Sequence, residues 1–240
     1  MVTLLSAAAD ASPADWIVAS VTTFGESVLS IVPAGFAAYV RVFHPAYRGP
    51  PAGQQPVRWA EIAALNGRIA HAGMQLGALT TVRRHDGQPG VFDVAPEVGS
   101  APPHVLNALL PVLRQHTTTP SRCWFAVWGG FGDLRQDVSV APTFETPGRV
   151  YYLLSGPVAA GAESVREPFA WYVRSSNLWW PDDHAWCVAT EIDLDSTYIG
   201  CTERCADALL AQPQLEAIDI QAATGISRDS DTQNPIPPED

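Results

Sequence analysis

The sequence predicts a single α+β domain over residues 1–224, a mostly antiparallel sheet flanked by several helices, followed by a polar, proline-rich tail over 225–240. Three observations carry this reading. Stretches with apolar residues at three- and four-residue steps are mixed with stretches that alternate with period two, without the strict βαβ order of a parallel sheet. A chain that is 47% hydrophobic and 16% charged, with eight tryptophans, needs a substantial interior. No internal linker is long enough to divide the 240 residues, and no repeat is present.

Ser12-Pro13-Ala14-Asp15 has the signature of a helix start, with Ser as N-cap, Pro at the first helical position and an acid in the first turn. Ile17, Val21, Phe24, Val28 and Ile31 then recur at helical spacing, which predicts one amphipathic helix ending at Pro33 with its stripe in the core. On that reading Phe24→Ala costs about 3 kcal/mol or more. Gly35–Pro45 alternates Tyr39, Arg41 and Phe43 on one face with Val40 and Val42 on the other, a strand. Residues 46–56 read as a Gly/Pro loop, and 57–73 as a helix through Trp59, Ile62, Leu65 and Ile69. His85–Ser100 is irregular. The run PPHVLNALLPVLRQH predicts a helix with Leu106, Leu109, Leu110 and Leu113 on one side and Pro111 inside it. Strands are predicted at Cys123–Trp128, Arg149–Ser155, Ala185–Leu194, Ser196–Gly200 and Leu215–Ile220, with a helix at Cys205–Ala211. From Gly225 onward the polar, Pro-rich composition predicts a loosely held tail.

A formal charge of −11 and a pI near 4.8 argue against nucleic acid and anionic membrane as partners, and suit cationic partners or metal ions. All fourteen basic residues are arginine, so chemistry that needs an amine is excluded: Schiff-base catalysis, a Walker A lysine, a Ser-Lys dyad. No stretch approaches the ~20 apolar residues of a membrane span. The N-terminal region lacks a basic segment and carries Asp10 and Asp15, so a cytoplasmic location is expected. The four cysteines, Cys123, Cys187, Cys201 and Cys205, form no C-x-x-C pair and are expected as buried thiols, with no disulfide, zinc or cofactor. Cys201 and Cys205 are spaced to approach across a helical turn.

Motifs with chemistry are scarce. Trp128–Leu134, WGGFGDL, is glycine-rich after a strand but lacks the G-x-G-x-x-G spacing and the following helix, and reads as a turn. There is no H-E-x-x-H, G-x-S-x-G or EF-hand pattern. His44, His71 and His104 are scattered and read as structural. The region that concentrates candidate groups is Asn177–Gly200, NLWWPDDHAWCVATEIDLDSTYIG. An extended Ala185–Asp195 places Glu191, Asp193 and Asp195 on one face, and adjacent residues of a strand point to opposite faces, so one of Trp179 and Trp180 is expected outside. The plain reading is a hairpin with a solvated acidic face. The functional reading is a partner or ligand surface made of Trp179, Trp180, Asp182, Asp183, His184, Glu191, Asp193 and Asp195, since exposed Trp ringed by charge typifies interface centres. The alternative is a small carboxylate-based or metal-dependent enzyme, of the hydrolase class, using the acids of 182–195. A protein partner is expected, and a small-molecule ligand fits the same acids.

Four blocks carry a resemblance: VPAGFAAYVRVFHPA, TPSRCWFAVWGGFG, PGRVYYLLSGP and NLWWPDDHAWCVATEIDLDSTYIGC. In order and spacing, over about residues 30–205, they resemble a family of actinobacterial proteins to which no activity is attached. That family has glycine where this chain has Cys201. The acidic α+β pattern, with an early Val-Pro after a first amphipathic helix, is also similar to SUKH-type modules. That similarity implies an immunity or protein-binding role, at the level of fold analogy.

Overall fold

In the computed structural model, which describes residues 3–50, 53–81, 87–167 and 173–237, the period-two stretches join into one antiparallel sheet. In chain order the strands are β1 (Ser6–Ala7), β2 (Ala38–Phe43), β3 (Ala46–Arg48), β4 (Gln55–Val57), β5 (Cys123–Trp128), β6 (Thr143–Thr146), β7 (Arg149–Gly156), β8 (Leu178–Pro181), β9 (Cys187–Ala189), β10 (Ser196–Cys201) and β11 (Ala217–Ile220). The helices are α1 (Asp15–Ser20), α2 (Trp59–Leu65), α3 (Leu76–Leu79), α4 (Pro103–Gln115), α5 (Gln136–Ser139) and α6 (Glu203–Leu210). The sheet order is β1-β7-β5-β8-β9-β10-β2-β11, with β6 also paired to β7, while β3 and β4 form a separate hairpin. The architecture is the expected α+β class with a mostly antiparallel sheet.

Strand alternation sends side chains to two cores. Val40 and Val42, Phe125 and Val127, Trp179, Val188 and Ile199 pack against the leucine stripe of α4 and against Leu209 of α6. Tyr39, Ala126, Trp180, Cys187 and Tyr198 pack on the other face against Ile17, Val21, Val28 and Val32 from the N-terminal segment. The sheet is therefore a middle layer, with apolar material on both sides. A third cluster joins Phe43 to Trp59, Ile62, Leu79 and Phe92.

The helix expected from Ser12 to Pro33 is broken. α1 ends at Ser20, and a single 3-10 turn follows at Val28–Ser30. Val21, the C-cap of α1, takes the extended conformation φ −88, ψ 96 that ends the helix, and Gly25 at φ +70 keeps the following residues from resuming it. Phe24 lies beside that break and is 50% exposed, resting on the Arg149 guanidinium at 4.7 Å. Its place in the core stripe is thus corrected, and Phe24→Ala is expected to cost less than about 1 kcal/mol in urea unfolding. A cost near 3 kcal/mol would restore the original stripe.

The second helix is likewise shorter than its periodicity suggested. After α2, Gly67 at φ +64 places its N–H on Ala64 O at 3.3 Å and that of Arg68 on Ala63 O at 2.8 Å, a Schellman ending. Leu65 and Ile69 are consequently exposed. Residues 87–100 are irregular, as expected, while His85 and Asp86 lie outside the described residues. The strand expected at Ala185–Leu194 contracts to β9, and Glu191–Leu194 is a turn closed by Leu194 N–H on Glu191 O at 3.1 Å. β1, β3, β4, β6, β8, α3 and α5 were not foreseen; each is only two to four residues long, too short for a periodic pattern to show itself. The tail is docked rather than loose, with Ile226, Asp231 and Asn234 buried.

Candidate functional site

The stretch from Asn177 to Gly200 forms β8, β9 and β10 at the centre of the sheet, and it divides the expected surface in three. Trp179 and Trp180 do point to opposite faces, as their adjacency requires, but both faces are covered and the rings are 1% and 0% exposed. Trp179 stacks on Phe125 at 5.8 Å and meets Trp186 edge-on at 5.1 Å; Trp180 meets Trp16 at 6.0 Å. Neither indole belongs to a partner surface, because helices or loops sit over both sides of the strand.

Asp182, Asp183 and His184 lie in the turn between β8 and β9 and are engaged there. Asp182 accepts from Trp124 Nε1 at 3.0 Å and pairs with Arg122 at 3.4 Å. Asp183 accepts from Thr117 Oγ1, Thr118 N and Thr118 Oγ1 at 2.6–2.8 Å, capping a neighbouring turn. Burial opposes its charge, but these donors, with the Ala185 amide, hold its carboxyl below the usual range. His184 takes φ +53 and stacks on Trp16 at 4.3 Å.

Glu191, Asp193 and Asp195 occupy the β9–β10 connection, at the opposite end of the short β9. They do not form one face, since the chain turns there. Glu191 is buried and receives Arg149 Nε at 2.7 Å; the same guanidinium reaches Asp193 at 2.8 Å. Asp193 and Asp195 instead line a cleft of about 690 Å³, together with Asp229, Arg228, Gln75, Thr80 and an apolar rim that includes Leu76, Val98 and Ile236. Val98 and Ile236 are both exposed. Burial raises the Asp195 carboxyl above its ordinary value, offset in part by the positive charge of Arg41 and by its own backbone amide.

Arg41 is the residue whose role periodicity did not disclose. It is 1% exposed, and its guanidinium donates to four neutral oxygens: Ser196 Oγ, Ala72 O, Met74 O and Gln75 Oε1. Phe43, Trp59 and Tyr198 surround it at 4.5, 5.2 and 5.4 Å. The signal available in the sequence was a cation alternating with Tyr39 and Phe43 on one strand face. Arg41 thus stiffens the wall that carries Gln75 and Asp195.

A nucleophile-like arrangement also escaped sequence reasoning. His44 Nδ1 donates to Glu97 O at 2.7 Å, so Nε2 accepts from Thr197 Oγ1 at 2.9 Å, and Thr197 in turn accepts from Thr190 at 2.8 Å. The order of groups is that of a nucleophile, a base and an orienting acceptor. Both His44 and Thr197 are 0% exposed, so no substrate reaches them and the relay is structural. Burial pushes His44 down to about 4. A depressed histidine contributes stability above its unfolded value of about 6.5, and this is lost as pH falls toward 4, roughly 3 kcal/mol in all. Glu97, pushed by burial up to about 7, acts with the opposite sign over pH 7 to 4.5. A His44→Gln comparison removes that common term: the stability gap to the wild type is expected to narrow by roughly 3 kcal/mol from pH 7 to 4. A constant gap would show that His44 takes up a proton in the folded state.

The four cysteines are buried thiols, and Cys201 meets Cys205 thiol to thiol at the start of α6. Among the described residues no three His, Cys, Asp or Glu side chains converge to hold a metal ion. A second cleft, about 430 Å³, is lined by His104, Asn107 and several prolines. Its acid, Glu216, is occupied by the Trp59 and Ala60 amides at 2.7 and 2.8 Å. Among the described residues no helix is long and apolar enough to cross a membrane. No family model, curated protein or solved structure matches this chain.

Proposed function

We propose that the protein is a non-enzymatic protein-binding module, in keeping with the immunity-like role that its similarity to SUKH-type modules implies, and that it engages a cationic side chain of its partner in the cleft. One observation carries this: Asp193, Asp195 and Asp229 line one cleft with Arg228, under a rim that includes the exposed Val98 and Ile236, and even with Arg149 on Asp193 the acids outnumber the arginines. Excess negative charge selects a guanidinium or ammonium, and the rim suits the apolar neighbours of that group on a peptide. The chain already pairs one of these acids with a guanidinium, Arg149 on Asp193. Catalysis is less well supported, because the nucleophile–base pair Thr197–His44 is sealed from solvent.

The test is calorimetric titration with a short synthetic peptide that carries one arginine between valine and leucine, beside its glutamate analogue. The arginine peptide is expected to bind and the glutamate peptide not to. Asp195→Asn is expected to weaken binding about tenfold or more, the scale of one charge-assisted contact. Equal binding of the two peptides, or an unaffected Asp195→Asn variant, would refute the cleft as a cation site.

A further inference from the structure

His44 ties two loops together. Its N–H donates to Asp195 O at 3.1 Å and its Nδ1 to Glu97 O at 2.7 Å, while the Gly99 amide donates to Leu194 O at 2.9 Å. The joined backbones form a thin wall of the acidic cleft, lined there by Pro96, Val98 and Asp195. Glu97, between Pro96 and Val98, does not line that cleft. Its carboxylate is turned toward Tyr47 of β3 instead: burial, and then the charge of Glu97, pushes the Tyr47 hydroxyl up to about 12. Tyr47 in turn meets the ring of His104, in the first turn of α4, edge-on at 6.3 Å. Among the described residues no hydrogen bond or ion pair engages the Glu97 carboxylate, the Tyr47 hydroxyl or the His104 ring.

This sets Glu97 apart from Asp182, Asp183, Glu191 and Glu216, whose carboxylates all hold donors. Burial raises the Glu97 carboxyl to about 7, with Arg174 opposing the rise in part. The Arg174 guanidinium itself pairs with Asp133 at 3.2 Å. Burial lowers the His104 imidazole, which is therefore neutral at pH 7 and does not repel a cation. A half-buried carboxylate without a donor, beside aromatic rings, is matched by a cation that pairs with the acid and is drawn to a ring face. We propose that Glu97, with the rings of Tyr47 and His104, is a second cation subsite across the wall from Asp195, so that the partner segment carries two basic side chains that straddle the wall. The inference rests on the acidic cleft being the partner site and adds a second anchor to it. Because both anchors act on one segment, the second contact forms at high effective concentration.

The test sets the single-arginine peptide beside peptides that carry a second arginine two, three or four positions along, about 7 to 13 Å away in an extended chain. In calorimetric titration at pH 8 the best of the series is expected to bind about tenfold more tightly than the single-arginine peptide. At pH 6 that ratio is expected to fall to about twofold, because Glu97 is then mostly protonated. Taking the ratio cancels the titration of the cleft acids, which both peptides contact, and proton uptake by His104 acts in the same direction. In Glu97→Gln the ratio is expected to be about one at both pH values, since the amide offers no charge. General attraction to a protein of charge −11 would survive that substitution. A ratio near one in the wild type, or an undiminished ratio in Glu97→Gln, overturns the second subsite and leaves the cleft reading in place. Absence of binding by every peptide overturns the cleft reading, and the subsite with it. Should Glu97→Gln fail to fold, the wild-type profile decides alone: a ratio that rises from pH 6 to 8 supports the subsite and a constant one refutes it.

Discussion

Trp180→Ala is expected to remove about 3 to 5 kcal/mol of stability, and Trp179→Ala a similar amount, because each empties a fully buried indole site. The two losses arise in different cores. Trp179 stands among Phe125, Trp186 and the α4 leucines, and Trp180 among Trp16, Phe144 and the N-terminal segment. A domain whose net stability is about 5–15 kcal/mol loses a large share of it through either change. The Trp180 ring offers a control, since its Nε1 is buried and finds no acceptor among the described residues. Trp180→Phe removes that unsatisfied N–H along with some ring area, and is expected to cost well under half of the alanine change. Urea unfolding followed by far-UV circular dichroism measures all three. A cost below about 1 kcal/mol for Trp180→Ala would place the ring outside the core and revive it as a surface residue.

Arg41→Ala is expected to cost about 3 to 5 kcal/mol, by removing a buried cation and leaving four oxygens without their donor inside an aromatic cage. Arg41→Met keeps volume between Phe43, Trp59 and Tyr198 and is expected to cost less, since an apolar replacement spares the desolvation of the guanidinium. The change also reaches the cleft. The Asp195 carboxyl is already raised by burial, and Arg41 is the charge that restrains the rise. A raised carboxyl favours the folded state when protonated, and that contribution is lost as pH rises through its folded value. Without Arg41 the folded value moves further up, and the pH range over which stability declines extends upward with it. Carboxyl NMR titration of Asp195 in Arg41→Met reads this directly; an unmoved titration would mean that Arg41 does not sense the cleft.

Much of the fold was legible in local pattern. Cys123–Trp128 and Arg149–Ser155 are short runs rich in aromatic and β-branched residues, and β5 and β7 occupy them with β7 one residue longer. The leucines at 106, 109, 110 and 113 define α4, which runs through Pro111. The end of α1 at Val21 carries no glycine or proline signal, and the glycine at 67 is outweighed by apolar spacing, because periodicity does not register one residue of non-helical backbone. In the site, the acids of 191–195 are visible in the sequence, yet the turn that separates Glu191 from Asp195 and the arrival of Arg228 and Asp229 beside them are not.

The sequence by itself determined the α+β class, most of the longer elements, the opposed directions of Trp179 and Trp180, and the exclusion of lysine-dependent chemistry. These depend on backbone geometry and side-chain type within a few residues of one another. Only the tertiary structure decided that both sides of the sheet are covered, so that neither tryptophan reaches water. It alone brought Arg41 behind Gln75 and Asp195, and Asp231 onto His71 across 160 positions of chain. Burial and charge pairing depend on what packs from a distance, and no local period encodes that.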